Sequence, residues 1–249
     1  MQKINTAILF AMMLFLVSCN STGDKPVISG KLEKAAGLKL VLQEMDTREI
    51  HPVDSAVPGK DGTFGFNPVV TDGGFWLLKA PSGKIMVLLL NPGDRITLAG
   101  SAAGFPDKVT MTGPVDAMLL NTFFQSTRGH EREADSLETL LLDKQDSCGY
   151  YALTQKIDAA FRQIWDKQRL LEVEFINKHP GSLASLVVLN YAFGQSPVLS
   201  PEQDLSYYRE TDSVLFSKYP GNKHVKFHHQ RVQELEKAIS SMQNAGRNH

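Results

Sequence analysis

The first half of the chain has the apolar periodicity of β-strands. Leu38, Leu40 and Leu42 alternate with mostly polar neighbours, and this period of two predicts a half-buried strand. Residues 85–90 are apolar without interruption, which predicts a central strand covered on both faces. Clusters of Gly, Pro, Asp and Asn separate these segments and are typical of turns. We therefore predict an antiparallel β-sandwich or open barrel over residues 27–113.

Residues 53–66 are predicted to form a β-hairpin at the centre of this half. The segment contains Gly59 and Gly62, and valine and phenylalanine stand on either side of them. Glycine adopts the positive φ of tight turns at little cost, whereas valine and phenylalanine suit a pleated surface. The expected structure is two short strands folded back on a turn at residues 58–62.

The second half of the chain has the periodicity of helices. From residue 114 onward Gly and Pro become sparse, and apolar residues recur every three or four positions. One stripe, interrupted only by its glutamine, comprises Leu153, Ile157, Phe161, Ile164, Gln168, Leu171 and Phe175. The helix that carries this stripe should end at His179, because Pro180 cannot continue it.

Three polar residues are predicted to begin the helices that follow. Ser182, Ser200 and Asn222 each have a side-chain oxygen that can accept a hydrogen bond from the first free N–H groups of a helix. We expect a helical domain over residues 114–240 and a disordered tail over residues 241–249. The predicted fold class is α+β, an N-terminal antiparallel β-sandwich or open barrel followed by a C-terminal α-helical array.

The first 26 residues have the features of an export and lipidation signal. Lys3 precedes an apolar run shorter than the roughly 20 residues of a comfortable membrane span, and the run ends in Leu16, Val17, Ser18 and Cys19. This tetrapeptide resembles the lipobox of bacterial lipoproteins, in which a peptidase cuts before the cysteine and acyl chains are attached to it. We expect a signal peptide at 1–18, lipidation of Cys19 and a tether at 19–26. The alternative is a small buried Cys19 after a plain secretory signal.

Composition and cysteine count exclude several classes of function. The 249-residue chain is 42% hydrophobic and 21% charged, with a formal net charge of −1, so no charge footprint favours a nucleic acid as partner. Its two cysteines are Cys19 and Cys148. Lipidation of Cys19 leaves Cys148 alone, so no intramolecular disulfide is expected. Cys148 is either a reactive thiol or a small, partly buried residue, and the second is the expected role.

Several motifs resemble a domain of lipoproteins from Bacteroidetes. They are Ile-Ser-Gly at 28–30, Val-Asp-Ser-Ala at 53–56, Asp-Gly-Thr-Phe at 61–64, Asn-Pro-Gly-Asp at 91–94 and Met-Thr-Gly at 111–113. This pattern is similar to DUF4369, an N-terminal domain of unknown function. Residues 175–184, Phe-Ile-Asn-Lys-His-Pro-Gly-Ser-Leu-Ala, are similar to the segment that follows this domain in thioredoxin-like proteins of the TlpA/ResA type.

The resemblance implies the accessory region of a disulfide oxidoreductase. In those relatives a thioredoxin domain with a C-x-x-C motif follows the helices, whereas this sequence contains no C-x-x-C and is expected to lack that domain. No catalytic residue of the family has a matching position here, so the resemblance transfers none. It implies a separately encoded thioredoxin-like protein as a candidate partner.

Three histidines near the end of the chain are candidate metal ligands. His224 and His228 are four residues apart and so share one face of the last predicted helix, beside His229. Such a pair can bind Zn²⁺ or Cu²⁺, but a site needs three or four ligands and the local spacing supplies no third. A solvated helix face is the expected alternative, and we predict neither a metal nor a cofactor.

Paired carboxylates give no clear catalytic signal. The pairs Glu131/Glu133 and Glu172/Glu174 are spaced by two on predicted helices, so they do not share a face and are expected to be surface charges. The sequence also lacks the G-x-S-x-G motif of a nucleophile elbow. With no C-x-x-C and no recognised catalytic constellation, we expect no enzyme activity.

Four aromatic residues of the strand half have two interpretations. They either fill a sandwich core or line a ligand groove, and these residues are Phe64, Phe66, Phe75 and Trp76. Aromatic residues at alternating positions of strands suit a pleated, half-buried surface. The core is therefore their expected role.

Three tripeptides resemble the Asp-Ser/Thr-apolar O-glycosylation sequon of exported Bacteroidetes proteins. Their serines are Ser55, Ser136 and Ser213, each preceded by Asp and followed by Ala, Leu or Val. Average residue usage gives roughly one such tripeptide in a chain of this size. We predict O-glycosylation of these serines, with an ordinary strand residue as the alternative for Ser55.

Together these features predict a non-catalytic, lipid-anchored envelope protein that acts as a binding or scaffolding module. It is expected at the outer membrane facing the periplasm, with surface display as the alternative. Its expected partners are the membrane, through the lipid anchor, and a thioredoxin-like or other envelope protein docked on residues 201–240. The competing predictions are a stand-alone small-ligand binder with an aromatic pocket between the sheets, and an accessory subunit of a thiol-disulfide oxidoreductase system.

Overall fold

Eight strands in the first part of the chain form two sheets in the computed structural model, which describes residues 27–144 and 149–247. The strands are β1 (Ile28–Glu33), β2 (Leu40–Met45), β3 (Ile50–Ala56), β4 (Thr63–Phe66), β5 (Gly74–Lys79), β6 (Ile85–Leu90), β7 (Ile96–Ser101) and β8 (Thr110–Thr112). One sheet, here called the outer sheet, has the order β4-β1-β7-β8. The other, the central sheet, has the order β3-β2-β5-β6.

Helices follow the strands and cover the free face of the central sheet. They are α1 (Val115–Asp143), α2 (Tyr150–Lys178), α3 (Ala184–Leu189), α4 (Leu205–Lys218) and α5 (Lys223–Arg247). A two-stranded hairpin of β9 (Ala192–Phe193) and β10 (Ser196–Pro197) lies between α3 and α4. Strands first and helices second confirm the predicted α+β class.

Two apolar cores hold the three layers together, and β6 takes part in both. Between the sheets, Met86 and Leu88 of β6 pack with Ile28 of β1 and other buried side chains. On the opposite face, Leu89 packs with Phe123 of α1 and the remaining helical core. Burial on both faces, as predicted, explains most of the apolar sequence of β6. The prediction of a central strand is wrong, because β6 is an edge strand of the central sheet and its first residue, Ile85, is 40% exposed.

The outer sheet contains one pairing that the sequence did not indicate. β1 pairs in parallel with β7, from Ile28 opposite Ile96 to Glu33 opposite Ser101, whereas the other strand pairs of the two sheets are antiparallel. The long intervening segment, which forms the central sheet, makes a parallel return possible.

The predicted hairpin over residues 53–66 is wrong, although both of its strands exist. β3 pairs with β2 in the central sheet, whereas β4 pairs with β1 in the outer sheet. The turn at 58–62 forms as expected, with Gly62 at φ +82° and its N–H bonded to the carbonyl of Gly59 at 2.9 Å. The turn connects the two sheets, since it joins β3 to β4, and the Gly62 carbonyl accepts a hydrogen bond from the N–H of Leu32 in β1.

Two of the predicted helix boundaries are confirmed, and a third lies one residue away, because Leu183 rather than Ser182 is the N-cap residue of α3. α2 ends at Lys178 with His179 as its C-cap residue. The Ser182 hydroxyl accepts a hydrogen bond from the Ala184 N–H at 3.2 Å, and the Asn222 side-chain oxygen accepts from His224 N–H at 3.0 Å. These are the interactions expected of residues that begin helices.

Two other helix boundaries differ from the prediction. α4 begins at Leu205 rather than after Ser200, because the buried Asp204 carboxylate accepts from the Ser200 N–H at 2.9 Å and holds 200–204 as a turn. α5 continues to Arg247, so residues 241–247, predicted as part of a disordered tail, are helical. Among the described residues, no helix combines the length and apolar character needed to span a membrane.

Candidate functional site

The predicted modification sites lie on the surface or outside the described residues. Ser55 is exposed on β3, Ser136 on α1 and Ser213 on α4. The Ser136 hydroxyl donates to the carbonyl of Arg132 at 2.8 Å. Cys19 lies outside the described residues. Cys148 does as well, together with the predicted signal peptide and tether.

The histidine face of α5 is buried, which corrects the expectation of a solvated face. His224 contacts Phe75 edge to face with ring centroids 4.9 Å apart, and the His228 Nε2 lies 3.3 Å from the carbonyl oxygen of Tyr208. Burial lowers the pKa of both imidazoles, because it disfavours the charged form. The predicted i, i+4 pair is therefore a packing feature between α5, the central sheet and α4.

His229 has a different environment from the other two histidines. Its Nδ1 lies 2.8 Å from Asp212 Oδ2, and its ring stacks on Phe216 with centroids 4.0 Å apart. The three imidazoles thus have three different sets of neighbours. Within residues 27–144 and 149–247, no group of three or more His, Cys, Asp or Glu side chains is arranged to hold a metal ion.

A small cavity lies beside the buried histidines, at the junction of the central sheet with α3 and α5. It has a volume of about 360 Å³, and the residues around it include Asp46, Phe75, Asn190, His224 and Arg231. The His224 Nε2 is buried and has no hydrogen-bond partner among the described residues. A Cβ placed on Gly74 would lie 3.3 Å from this nitrogen. The nitrogen therefore packs against the backbone of Gly74.

The four strand aromatics fill apolar cores, which confirms their expected role. Phe64, Phe66 and Trp76 are buried between the two sheets. Phe75 points to the other side of the central sheet and packs with the helices. Among the described residues, these and other core side chains occupy the space between the sheets.

A larger cavity lies between α1, α2 and the β9/β10 hairpin, and we call it the interhelical pocket. Its volume is about 620 Å³. It is lined by Glu131, Ala134, Asp135 and Glu138 of α1, by Phe161, Arg162 and Trp165 of α2, and by Phe193 and Gly194 of the hairpin. Trp165 and Phe193 meet edge to face with ring centroids 6.1 Å apart.

The composition of the two helix faces explains why this pocket exists. α2 presents Phe161 and Trp165, which are one turn apart and therefore on the same face. The facing part of α1 is occupied by carboxylates and the small Ala134, so no large apolar side chain fills the space opposite the rings. Elsewhere α1 and α2 are joined by rings in contact, as between Phe123 and Phe175 at 5.7 Å.

One wall of the pocket is fixed by a short hydrogen bond. The Tyr191 hydroxyl, at the end of α3, donates to Glu131 Oε1 at 2.6 Å. Burial raises the pKa of Tyr191, and the carboxylate of Glu131 raises it further, so the phenol keeps its proton. The bond links α1 to the segment that carries Phe193 and thereby holds the hairpin wall in place.

A buried polar cluster joins α1 and α2 next to the pocket, and it corrects the assignment of Glu172 as a surface charge. The Gln168 amide donates to Glu172 Oε1 at 2.8 Å and to Thr127 Oγ1 at 3.3 Å. Its amide oxygen accepts from His130 Nδ1 at 2.8 Å. Burial raises the pKa of the fully buried Glu172 to about 8. The other three predicted surface carboxylates are at least partly exposed.

Comparison of the chain with protein-family models and with curated proteins found no match. The resemblance to DUF4369 lipoproteins thus stays a prediction from the quoted motifs. A function for the interhelical pocket is therefore inferred from the geometry of the pocket alone.

Sequence reasoning missed the interhelical pocket, although part of its signal is visible in the chain. Phe161 belongs to the apolar stripe predicted for α2. The residues at 131, 134, 135 and 138 are spaced i, i+3, i+4 and i+7, so they form one face of α1, and three of the four are acidic. An acidic face opposite an aromatic stripe indicates an unfilled interface, but only once α1 and α2 are known to be neighbours.

Proposed function

We propose that this protein is a non-catalytic, lipid-anchored protein of the cell envelope that binds a small ligand in the interhelical pocket. The observation that carries the proposal is the pocket itself, which has three aromatic walls and a volume of about 620 Å³. Small-molecule sites are typically concave and mostly apolar, with volumes of about 300–1,000 Å³ and a few polar groups that fix orientation. The interhelical pocket has each of these properties.

The anchoring part of the proposal is supported by the sequence. The lipobox-like residues 16–19 follow an apolar run of signal-peptide length. Acyl chains on Cys19 would hold the protein at a membrane, because stable anchoring takes two or more lipid chains. We place the protein at the outer membrane facing the periplasm, which leaves the pocket accessible to envelope solutes.

The scaffolding role on residues 201–240 has less support from the surface. A docking patch there would require exposed large apolar side chains. Among residues with described side chains, the exposed large apolar residues lie on or near the strands, as at Ile50 and Val53, or on α1 and α2, as at Leu142 and Tyr151. We therefore favour ligand binding, and a role beside a thioredoxin-like partner remains the second proposal.

Native mass spectrometry of protein purified from its own envelope tests the proposal. We expect a non-covalent small-molecule adduct on the wild type that is lost in Trp165→Ala, because the substitution removes one aromatic wall. Tyr151→Ala is a matched control on the same helix, since Tyr151 is 76% exposed and does not line the pocket. A protein partner recovered by crosslinking, with no adduct on either form, would favour the scaffolding role instead.

A further inference from the structure

The charges around the interhelical pocket are unequal. Three carboxylates line it, those of Glu131, Asp135 and Glu138, against one guanidinium, that of Arg162. All three carboxylates belong to one face of α1, so they act on the pocket from the same side. Two of these carboxylates also line a neighbouring cavity that has three basic side chains, so the acidic excess belongs to the lining of the interhelical pocket and not to its surroundings.

The position of Glu131 shows that one of these carboxylates is held in the site. Its Oε1 accepts a hydrogen bond from the Tyr191 hydroxyl at 2.6 Å, and this bond fixes the orientation of the carboxylate. Asp135 and Glu138 are exposed at the rim and keep their water. A cation entering the pocket would therefore meet one oriented carboxylate and two exposed ones.

The opposite side of the pocket is suited to a flat apolar group. Phe161, Trp165 and Phe193 line this side, and Trp165 meets Phe193 edge to face rather than stacked on it. The face of an indole also attracts cations, more strongly than that of phenylalanine or tyrosine. Acidic and aromatic walls thus favour the same kind of ligand.

Building on the proposed function, we infer that the interhelical pocket binds an organic ammonium compound, a ligand with a flat apolar body and a positive charge. The apolar body lies between the three aromatic side chains. The ammonium group lies toward the carboxylates of α1. Arg162 disfavours a second positive charge and limits the preference to ligands with one.

The test is a calorimetric titration with three probes of one shape and different charge. They are 2-naphthylmethylammonium, neutral 2-naphthylmethanol and anionic 2-naphthoate, added to the full-length lipoprotein in zwitterionic lipid nanodiscs, with empty nanodiscs as the blank. We expect the ammonium probe to bind about tenfold more tightly than the alcohol and the carboxylate to bind most weakly. The preference should shrink as salt is raised, because the rim carboxylates are exposed.

A charge-neutralising variant separates the inference from the proposed function. In Asp135→Asn/Glu138→Gln the two rim carboxylates are replaced by amides of the same shape, so the ammonium probe should lose most of its advantage while the alcohol binds as before. Glu133→Gln is the matched control, because Glu133 pairs with Lys167 at 3.4 Å and does not line the pocket. Both substituted rim residues are exposed, so the variant should fold.

Each outcome of the titration has a distinct meaning. Equal affinity for the three probes, or tighter binding of 2-naphthoate, overturns the inferred charge preference while ligand binding stands. Absence of binding by all three probes contradicts both the inference and the proposed site. Tight ammonium binding that the amide variant leaves unchanged also overturns the inference, because two of the three carboxylates that line the pocket would then play no part.

Discussion

Glu172 is a residue whose environment could not be assigned from its sequence position. It lies four residues after Gln168 on α2, so the two side chains are on one helix face. The polar interruption at Gln168 was visible in the apolar stripe, but its meaning depends on Thr127 and His130 of α1, which approach only after folding. The periodicity of apolar residues predicts the stripe, but it does not show whether Glu172, which lies beside the stripe, is charged.

We predict that Glu172 makes the protein less stable as the pH rises. Its folded pKa of about 8 lies above the ordinary value of 4.5, so between these values the folded state binds a proton that the unfolded state releases. The free energy of unfolding should fall from about pH 5 to pH 8, by a few kcal/mol at about 1.4 kcal/mol per pKa unit. Glu172→Gln resembles the protonated acid, so this variant should lose most of that pH dependence and exceed the wild type in stability at pH 8.

Urea denaturation at pH 5, 7 and 9 measures this effect. Glu174→Gln provides the control, because Glu174 is exposed on the same helix and pairs with Lys178 at 2.9 Å. Its pH profile should follow that of the wild type. Parallel profiles for Glu172→Gln and the wild type would show that Glu172 is ionised in the folded state at neutral pH.

At the scale of elements, the N-terminus of α5 is the point where the helices are fastened to the central sheet. The Asn222 side chain caps α5 through Oδ1 and donates from Nδ2 to the carbonyl of Gly73 at 2.6 Å. Lys223 contacts Glu44 of β2 at 2.6 Å. A cap at Asn222 was predicted from sequence, but its bond to Gly73 joins positions 149 residues apart and has no local signal.

We predict that Asn222→Ala destabilises the fold by about 2 kcal/mol or more, since it removes a helix cap and leaves the buried Gly73 carbonyl without its donor. Asn222→Asp keeps the cap oxygen but places a carboxylate oxygen against the Gly73 carbonyl in place of the donor, so this variant should also be less stable than the wild type. Thermal or urea denaturation gives the order, and hydrogen exchange should increase at the start of both β5 and α5. Equal stability of Asn222→Asp and the wild type would mean that the bond to Gly73 contributes nothing.

The strands show how much of the topology is local. The half-buried strand around Leu40 and Leu42 and the mostly buried β6 follow from side-chain periodicity, and both were predicted, although Leu38 is exposed and precedes β2. The partner strand of β4 was not predicted. A period of two places Phe64 and Phe66 on one face of a strand, but it does not specify the sheet to which that strand belongs. The six residues between β3 and β4 are enough to cross between sheets, so the turn signal at Gly59 and Gly62 did not determine pairing.

For the whole molecule, we propose a ligand pocket combined with a lipid anchor. We predict that the mature protein partitions into the detergent phase of a Triton X-114 extraction and that Cys19→Ala does not. The reason is that burial of the acyl chains in the detergent contributes about 0.8 kcal/mol per CH₂ group. The described part of the chain has no membrane-spanning helix. Cys19→Ala protein in the detergent phase would contradict lipidation at this residue.

The two tryptophans allow the central claim, ligand binding in the interhelical pocket, to be measured directly. Trp165 lines the pocket, whereas Trp76 is 4% exposed in the core between the sheets and serves as an internal reference. In ¹⁹F NMR of protein labelled with 5-fluorotryptophan, addition of 2-naphthylmethylammonium should shift the Trp165 resonance in a saturable manner and leave the Trp76 resonance in place. A Trp165 resonance that does not move, or that moves only together with that of Trp76, would contradict the account.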